Sequence, residues 1–355
     1  MKPRLYFFII FLILNSQLVI LYSQTIRSIR DDIGFCWKAN EMNEFIDYLS
    51  KDDQSKSADH SKNLFAAISV HDDYLYAGKI YYPLYKNIKT KEVVIFGVTH
   101  GAVRKEMGTL SNIIILDEFD KWKGPYKEID ISPLREVIKS KLPKKDFIVS
   151  NKAHSIEHSI EALIPFLQYY NRDIKITPIM ITQMPYEKME AISDRLSKII
   201  LDYMKDKNLI PGKDIFFLVS NDANHYGEDF NNSPYGMDAG AHKTATENDM
   251  KIILKDLVNK IDEGKIKETA NDLWPDSTKK KVTPLWCGRY PIIFGLKTIY
   301  KIADHFNKKI YGTLFKYSDT FTEKVLPVKN TSMGLTAVFS YKHWCAWFTE
   351  GFYLK

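Results

Sequence analysis

The amino-acid sequence predicts an α/β protein with a central, largely parallel or mixed sheet and helices on both faces. Short apolar runs alternate with segments of helical period along most of the chain. These runs are apolar throughout, as in strands that are buried on both faces by flanking helices. The chain has 355 residues, of which 45% are hydrophobic, so its length is enough for the core of one large domain.

Each predicted element rests on a local pattern. Apolar residues at helical spacing predict helices over 41–49, 76–85, 159–170, 186–204, 246–261 and 290–303. Runs rich in β-branched and aromatic residues predict strands over 64–70, 93–98, 175–181 and 215–220, and a closing strand over 334–341. The polar segment 50–62 is predicted to be a loop.

The N-terminus has the pattern of a targeting segment. Two basic residues in "MKPR" precede a nearly unbroken apolar run over 5–14, which is typical of a signal peptide. The polar residues 15–17 interrupt this run and favour a signal peptide over an uncleaved membrane anchor. We therefore assign 1–24 to a signal peptide or N-terminal anchor and 25–355 to a single α/β domain. This predicts an exported protein: periplasmic, secreted or membrane-anchored by its N-terminus.

The charge distribution limits the class of partner. The formal net charge is +6, from 50 basic and 44 acidic residues that are scattered along the chain. Because the sequence has no basic cluster interleaved with aromatic residues, we expect no nucleic-acid binding. The expected partner is an unidentified small molecule or peptide, and membrane contact is expected only through an uncleaved N-terminal segment.

Histidines follow three of the predicted strands. His71 follows the first strand, His100 follows the second, and Asp222 and His225 follow the strand that ends at residue 220. A single histidine after a strand is more often a loop residue or a satisfied hydrogen-bonding group than a functional residue. However, the chain has only nine histidines, and α/β folds bind ligands beyond the carboxyl ends of their strands. The three positions together therefore predict a functional site.

Cys287 is a further candidate because it lies directly before a predicted helix in "CGRYPI". The helix dipole and the neighbouring Arg289 would favour its thiolate. The alternative is a small buried hydrophobic residue, which is the usual role of a free cysteine.

The tandem "HSIEHSIE" adds two more pocket candidates, His158 and Glu161. At the start of a helix, positions four apart would place His154 with His158 on one face and Glu157 with Glu161 on another. The alternative is that one of its two serines caps the helix and that the glutamates stabilise its first turns.

This set of groups suits a metal site. Two neutral imidazoles and one anionic ligand, with open positions, are typical of non-haem iron(II) and related centres. The anion could come from Cys287, Asp222 or Glu161. A nearby histidine oriented by a carboxylate could act as general acid or base, so Asp222 either orients His225 or itself approaches the metal. The sequence has no HExxH, CxxC, Walker-type or GxSxG motif, which are the signatures of zinc peptidases, disulfide oxidoreductases, P-loop NTPases and serine hydrolases.

Five segments carry a resemblance to a known family: "SVHDDYLYAG", "VVIFGVTHGA", "EHSIEALIPFL", "VSNDANHYG" and "CGRYPI". In order and spacing, the chain from about Arg30 to Tyr341 resembles the Memo-like family. The bacterial members are called AmmeMemoRadiSam system protein B, and the animal member is the Memo protein. The family fold is similar to that of the class III extradiol (LigB-type) dioxygenases.

The resemblance implies a metal site and a catalytic pair. The metal ligands would be His71, His100 and Cys287, with iron or copper as the expected ion, and Asp222 with His225 would form the catalytic pair. The dioxygenases use two histidines and a glutamate, whereas this family has cysteine in place of the glutamate. The chain departs from the family pattern where "VHDDY" replaces "PHAGY" and where glycine follows His100.

Three functions stay open from the sequence. The first is a metal-dependent redox enzyme, such as a dioxygenase-like oxidoreductase, and the alternative is a non-catalytic protein that binds a metal, ligand or peptide in the same pocket. A metal-dependent hydrolase is a third interpretation. The three cysteines leave at least one thiol outside any intramolecular pair. In an oxidising compartment Cys36 and Cys345 would be the expected pair, with Cys287 left free.

Overall fold

A computed structural model of the chain describes residues 24–52, 61–274 and 282–355. The predicted targeting segment lies, apart from its last residue, outside the described residues, and so does most of the predicted loop over 50–62. Among the described residues, no helix combines the length and the apolar character that crossing a membrane requires.

The described residues alternate between helices and strands. The helices are α1 Ala39–Asp52, α2 Tyr74–Tyr85, α3 Gly101–Met107, α4 Leu134–Lys141, α5 Asn151–Ile156, α6 Ile164–Tyr170, α7 Tyr186–Asp206, α8 Ala239–Ile252, α9 Glu263–Leu273, α10 Arg289–His305 and α11 Thr320–Glu323. The strands are β1 Ile26–Arg27, β2 Leu64–Ser69, β3 Glu92–Gly97, β4 Ile114–Leu116, β5 Lys121–Trp122, β6 Ile129–Ile131, β7 Phe147–Val149, β8 Lys175–Ile181, β9 Ile215–Ser220, β10 His225–Tyr226, β11 Asn259–Ile261, β12 Ile310–Asp319 and β13 Trp344–Leu354.

The strands form a mixed sheet in the order β1-β5-β6-β8-β3-β9-β2-β13-β12-β11. Its centre, β8-β3-β9-β2, is parallel, whereas β13, β12 and β11 continue it in antiparallel pairs. Helices cover both faces, with α7 and α10 packed on one and α1, α2 and α6 on the other. The predicted fold class, an α/β protein with a mixed central sheet, is therefore confirmed.

Strand β3 shows why the central strands are apolar throughout. Val94 and Phe96 belong to the core on the α7 and α10 side, and Phe96 packs against Phe294 with ring centroids 5.6 Å apart. Val93 and Ile95 belong to the core on the opposite side. Because successive side chains point to opposite faces and both faces are buried, the positions after Glu92 at the start of the strand favour apolar residues.

In the C-terminal third, one predicted strand is absent and one predicted helix has different bounds. Residues 334–341 form no strand, and the chain closes the sheet with the longer strand Trp344–Leu354 beside β2. The predicted helix over 246–261 begins earlier, where the Asp238 side chain accepts the Ala241 N–H, and its α-helical part ends at Ile252. A π-helical turn and β11 follow.

Close backbone approaches position the functional loops. Gly288, which precedes α10, lies so close to β9 that a Cβ atom there would be 2.5 Å from the Ser220 carbonyl oxygen. Gly227 has a φ of 120°, and a Cβ there would lie 2.1 Å from the Lys342 carbonyl oxygen. Only glycine fits both positions, so these contacts hold the loop after β9 against α10 and β13.

A buried carboxyl group in β13 predicts a pH-dependent stability. Glu350 is fully buried, and no hydrogen-bond partner contacts either carboxyl oxygen among the described residues. Burial raises its pKa well above 4.5. Above pH 4.5 the folded state therefore holds one proton more than the unfolded state, and stability falls as the pH rises.

We expect Glu350→Gln to remove this part of the pH dependence. Urea unfolding of both proteins from pH 5 to 8 would show a free energy of unfolding that falls more steeply in the wild type. The difference in slope would be at most about 1.4 kcal/mol per pH unit. Parallel curves would show that Glu350 is ionised in the folded protein.

Candidate functional site

A cavity of about 750 Å³ opens at the carboxyl ends of β2, β3 and β9, beside the first turn of α10. It contains six of the seven residues predicted for the site, namely His71, His100, His158, Asp222, His225 and Cys287. These side chains meet because the three strands are neighbours and run in parallel, so that their carboxyl ends lie at one edge of the sheet.

Two imidazoles and a thiol lie within reach of a common point. The Cys287 Sγ atom lies 3.3 Å from His71 Nε2. One ligand atom each from His71, His100 and Cys287 lie within 4.8 Å of one another. A single ion with bonds of about 2.0 Å to nitrogen and 2.3 Å to sulfur spans such a set.

Hydrogen bonds fix the orientation of His71. Its Nδ1 lies 2.7 Å from Ser220 Oγ, and that hydroxyl donates its own hydrogen to the Ser159 carbonyl oxygen at 2.7 Å. The hydroxyl must therefore accept from Nδ1–H, which leaves the Nε2 lone pair free on the side of Cys287. Burial, and then the nearby His100 ring, lower the pKa of His71 well below its ordinary value, so the ring is neutral.

Glu157 orients His100 in the same way. Its carboxylate accepts from His100 Nδ1 at 2.7 Å and from the His100 backbone N–H at 2.9 Å. The backbone N–H groups of His158 and Ser159 also donate to it. Burial acts to raise the pKa of Glu157, but the charge interaction and hydrogen bond with His100 outweigh it and hold this pKa below its ordinary value.

Sequence reasoning did not select Glu157 for the pocket. The prediction placed it on a helical face away from the histidines, but α5 ends at Ile156. Its position directly before His158 and Ser159 could have identified it. A carboxylate in a turn can accept hydrogen bonds from the backbone N–H groups of the residues that follow it. A carboxylate behind a histidine is the usual support for an imidazole that binds a metal.

Cys287 does not have the thiolate character that its position before α10 predicts. Burial, followed by the carboxyl group of Asp222, raises the pKa of its thiol well above 9.0. The Asp222 backbone N–H donates to Sγ at 3.1 Å and opposes this effect only in part. The prediction that the helix dipole and Arg289 favour its thiolate is therefore wrong for the thiol without a bound metal ion.

Asp222 contacts His71 instead of orienting His225. Its Oδ1 accepts the His71 backbone N–H at 2.8 Å, and its Oδ2 lies 3.5 Å from His71 Nε2. His225 instead has Nδ1 3.3 Å from the Ala223 carbonyl oxygen, which directs Nε2 away from its own backbone. One ligand atom each from Asp222, His225 and Cys287 lie within 4.8 Å of one another, so His225 still lies beside the same point.

The two histidines of the tandem separate instead of sharing a helical face. His154 is buried in α5, with Nε2 3.1 Å from the Ile115 carbonyl oxygen and its ring against Trp122. His158 lies after the helix and stacks on His100, with ring centroids 4.7 Å apart and planes 3° from parallel. The helix is capped by Ser150, and neither serine of the tandem caps it.

Glu161 is not a pocket residue. Its carboxylate pairs with the guanidinium of Arg27 and accepts the backbone N–H groups of Arg30 and Asp31. Both Arg27 and Glu161 are buried, and Arg27 also donates to the carbonyl oxygens of His154 and Glu157. The ion pair therefore anchors the segment before α1 to the loop that carries Glu157.

The cysteines do not pair. Cys36, Cys287 and Cys345 are free thiols, so the expected pairing of Cys36 with Cys345 is wrong in this structure. Cys36 is buried in the loop before α1, where its thiol donates to the Lys38 carbonyl oxygen at 3.8 Å. Cys345 lies on β13 opposite His225 and lines the cavity together with Cys287.

Asp72 and Asp73, the two aspartates of "VHDDY" after β2, accept hydrogen bonds from distant parts of the chain. Asp72 accepts from Trp347 Nε1 at 2.8 Å, and Asp73 accepts from the Thr336 backbone N–H at 2.6 Å. These bonds attach the start of α2 to β13 and to the loop that replaces the predicted closing strand. Both aspartates line the cavity.

We expect Glu161→Gln to reduce stability but not the metal content of any folded, metal-loaded protein, because Glu161 contributes no donor to the cavity. The variant leaves the buried guanidinium of Arg27 without a charged partner, which costs about 3–5 kcal/mol of the free energy of unfolding. Urea unfolding and metal analysis would measure the two properties. Glu268→Gln, at an exposed ion pair in α9, is the control and should change neither. Loss of metal at unchanged stability would make Glu161 a ligand.

A family model and individual relatives both match this chain, and they indicate the same family. A family model described as Memo-like protein matches residues 35–326. A MEMO1 family protein of Sulfurisphaera tokodaii is 31% identical over 256 residues, which cover 70% of this chain and 74% of the relative. A MEMO1 family protein of Aquifex aeolicus is 31% identical over 165 residues, or 45% of this chain and 54% of the relative.

Proposed function

The chain belongs to the Memo-like protein family, and from the geometry of its cavity we propose that it binds one redox-active metal ion, iron or copper. The ligands would be His71 Nε2, His100 Nε2 and Cys287 Sγ. The observation that carries the proposal is the convergence of these donors, within 4.8 Å of one another, from three distant parts of the chain.

The donor set fits such an ion in three respects. The hydrogen bonds to Ser220 and Glu157 leave a free lone pair on Nε2 of each histidine, which is the form of imidazole that binds metals. The sulfur of Cys287 is a soft ligand and favours copper, iron or zinc over magnesium or calcium. Three protein ligands also leave coordination positions open towards the cavity, as in catalytic metal sites.

We further propose metal-dependent redox chemistry on a small substrate in the cavity. The bound ion would supply electron transfer or activation of a ligand. The protein would supply a proton-transfer group in His225, because its ring lies beside the proposed metal position and is neutral, so that Nε2 can accept a proton; burial lowers its pKa to about 4. Glu157 would hold His100 in its binding orientation.

We expect a His71→Ala/His100→Ala variant to lose the metal. Wild-type protein loaded anaerobically with iron(II) or copper(I) and then desalted should hold one ion per chain by mass spectrometry, and the variant should hold a negligible amount. The matched control is His242→Ala/His305→Ala, at two histidines outside the cavity. Equal metal contents in the wild type and the cavity variant would refute the proposed site.

We expect His225→Ala to separate catalysis from binding. If the protein is a redox enzyme, the variant should keep its metal but lose oxygen uptake with an active substrate by a factor of about 100 or more. Oxygen electrode measurements across a panel of small aromatic and anionic compounds would test this. Metal binding in both proteins without turnover in either would instead support the alternative, a non-catalytic metal-, ligand- or peptide-binding protein.

A further inference from the structure

The arginines around the cavity form no ion pair with any carboxylate of the described residues. Elsewhere in the described part of the chain, arginines form ion pairs with acidic residues: Arg27 with Glu161, Arg135 with Asp117 and Arg195 with Asp146. Four arginines form no ion pair among the described residues, and three of these four, Arg30, Arg104 and Arg289, line the cavity. The fourth is Arg172, which lies over the ring of Tyr126.

Two of these arginines lie on segments that contact β8. Arg104, on α3, donates to the Thr99 carbonyl oxygen, and the Thr99 hydroxyl donates to the Ile181 carbonyl oxygen at the end of β8. Arg289 begins α10, which packs on β8, β3 and β9, and its guanidinium lies 5.5 Å from the ring centroid of Tyr290. Neither α3, nor the end of β8, nor the start of α10 contributes an acidic residue to the lining.

Four of the five acidic residues that line the cavity already have donors, and they lie in the loop before α1, at the start of α2 and after β9. Asp73 accepts from Thr336, and Asp31 accepts the backbone N–H groups of Ile33 and Gly34. Asp31 and Asp73 flank the same glycine, because a Cβ at Gly34 would lie within 3.3 Å of an oxygen of each. Backbone and hydroxyl groups therefore satisfy these carboxylates, whereas the guanidiniums of Arg104 and Arg289 keep free donors.

We propose that the cavity takes a small ligand that carries an oxyanion, either a carboxylate or a phosphate group, and that Arg104 and Arg289 bind this group. A guanidinium matches both oxyanions with two parallel N–H donors. Leu110, Ile181 and Tyr290 also line the cavity and suit an apolar body next to the charged group. Contact between the rest of the ligand and a metal ion is a further step, and only this step rests on the proposed function.

Calorimetric titration with benzoate and with inorganic phosphate tests the inference, each probe representing one source of the oxyanion. Saturable binding to the wild type should weaken by at least about tenfold in Arg104→Gln/Arg289→Gln. Arg172→Gln is the matched control and should bind like the wild type, because it removes an arginine without an acidic partner far from the cavity. Arg289→Gln alone should show a smaller loss, and it replaces the double variant if that protein does not fold.

The same titration on metal-free His71→Ala/His100→Ala protein separates this inference from the proposed function. Arginine-dependent binding that persists there supports the oxyanion site, even if no metal binds. Binding that requires the metal and is unaffected by Arg104→Gln/Arg289→Gln would assign the anion to the ion and overturn the inference. Absence of saturable binding for both probes, or an equal loss in Arg172→Gln, would also overturn it.

Discussion

The parallel pairing of β2, β9 and β3 is the constraint on which the candidate site depends. Ser69 pairs with Ser220, and Phe96 pairs with Val219, so the three strands end at one edge of the sheet. The loops that follow these three strands therefore lie next to one another at this edge. His71, His100 and Asp222 are far apart in the sequence, yet each lies two or three residues beyond the end of its strand.

Meeting at one edge does not by itself make a metal site, since imidazoles also need the correct orientation. Ser220, the last residue of β9, holds His71 and is itself held by the Ser159 carbonyl oxygen. Glu157 holds His100 through both its ring and its backbone. The segment 157–159 therefore orients both histidines, and the buried Arg27–Glu161 pair fixes that segment from behind.

The acidic residues and the arginines of the cavity differ in whether the protein itself supplies their partners, which the overall composition does not show. Four of its five acidic residues lie near the start of α2 and in the loop before α1, and Asp222 lies after β9. Most of these carboxylates accept hydrogen bonds from the protein, whereas the guanidiniums of Arg104 and Arg289 form no ion pair with a carboxylate of the described residues. An oxyanion next to a cationic centre is the arrangement that such a division of charge favours.

The sequence alone determined the fold class, the central strands and the positions of the histidines, because these depend on local period and on the general rule that ligands bind at strand ends. It did not determine which carboxylate orients a histidine of the site, because Glu157 and Glu161 look equivalent in "EHSIE". Only the contact of Glu161 with Arg27, 134 residues earlier in the chain, distinguishes the two. The closing strand was also misplaced because its position depends on a contact between distant parts of the chain. Residues 334–341 have strand propensity, but β13 offers a longer apolar surface to β2, and burial against a distant partner outweighs local preference.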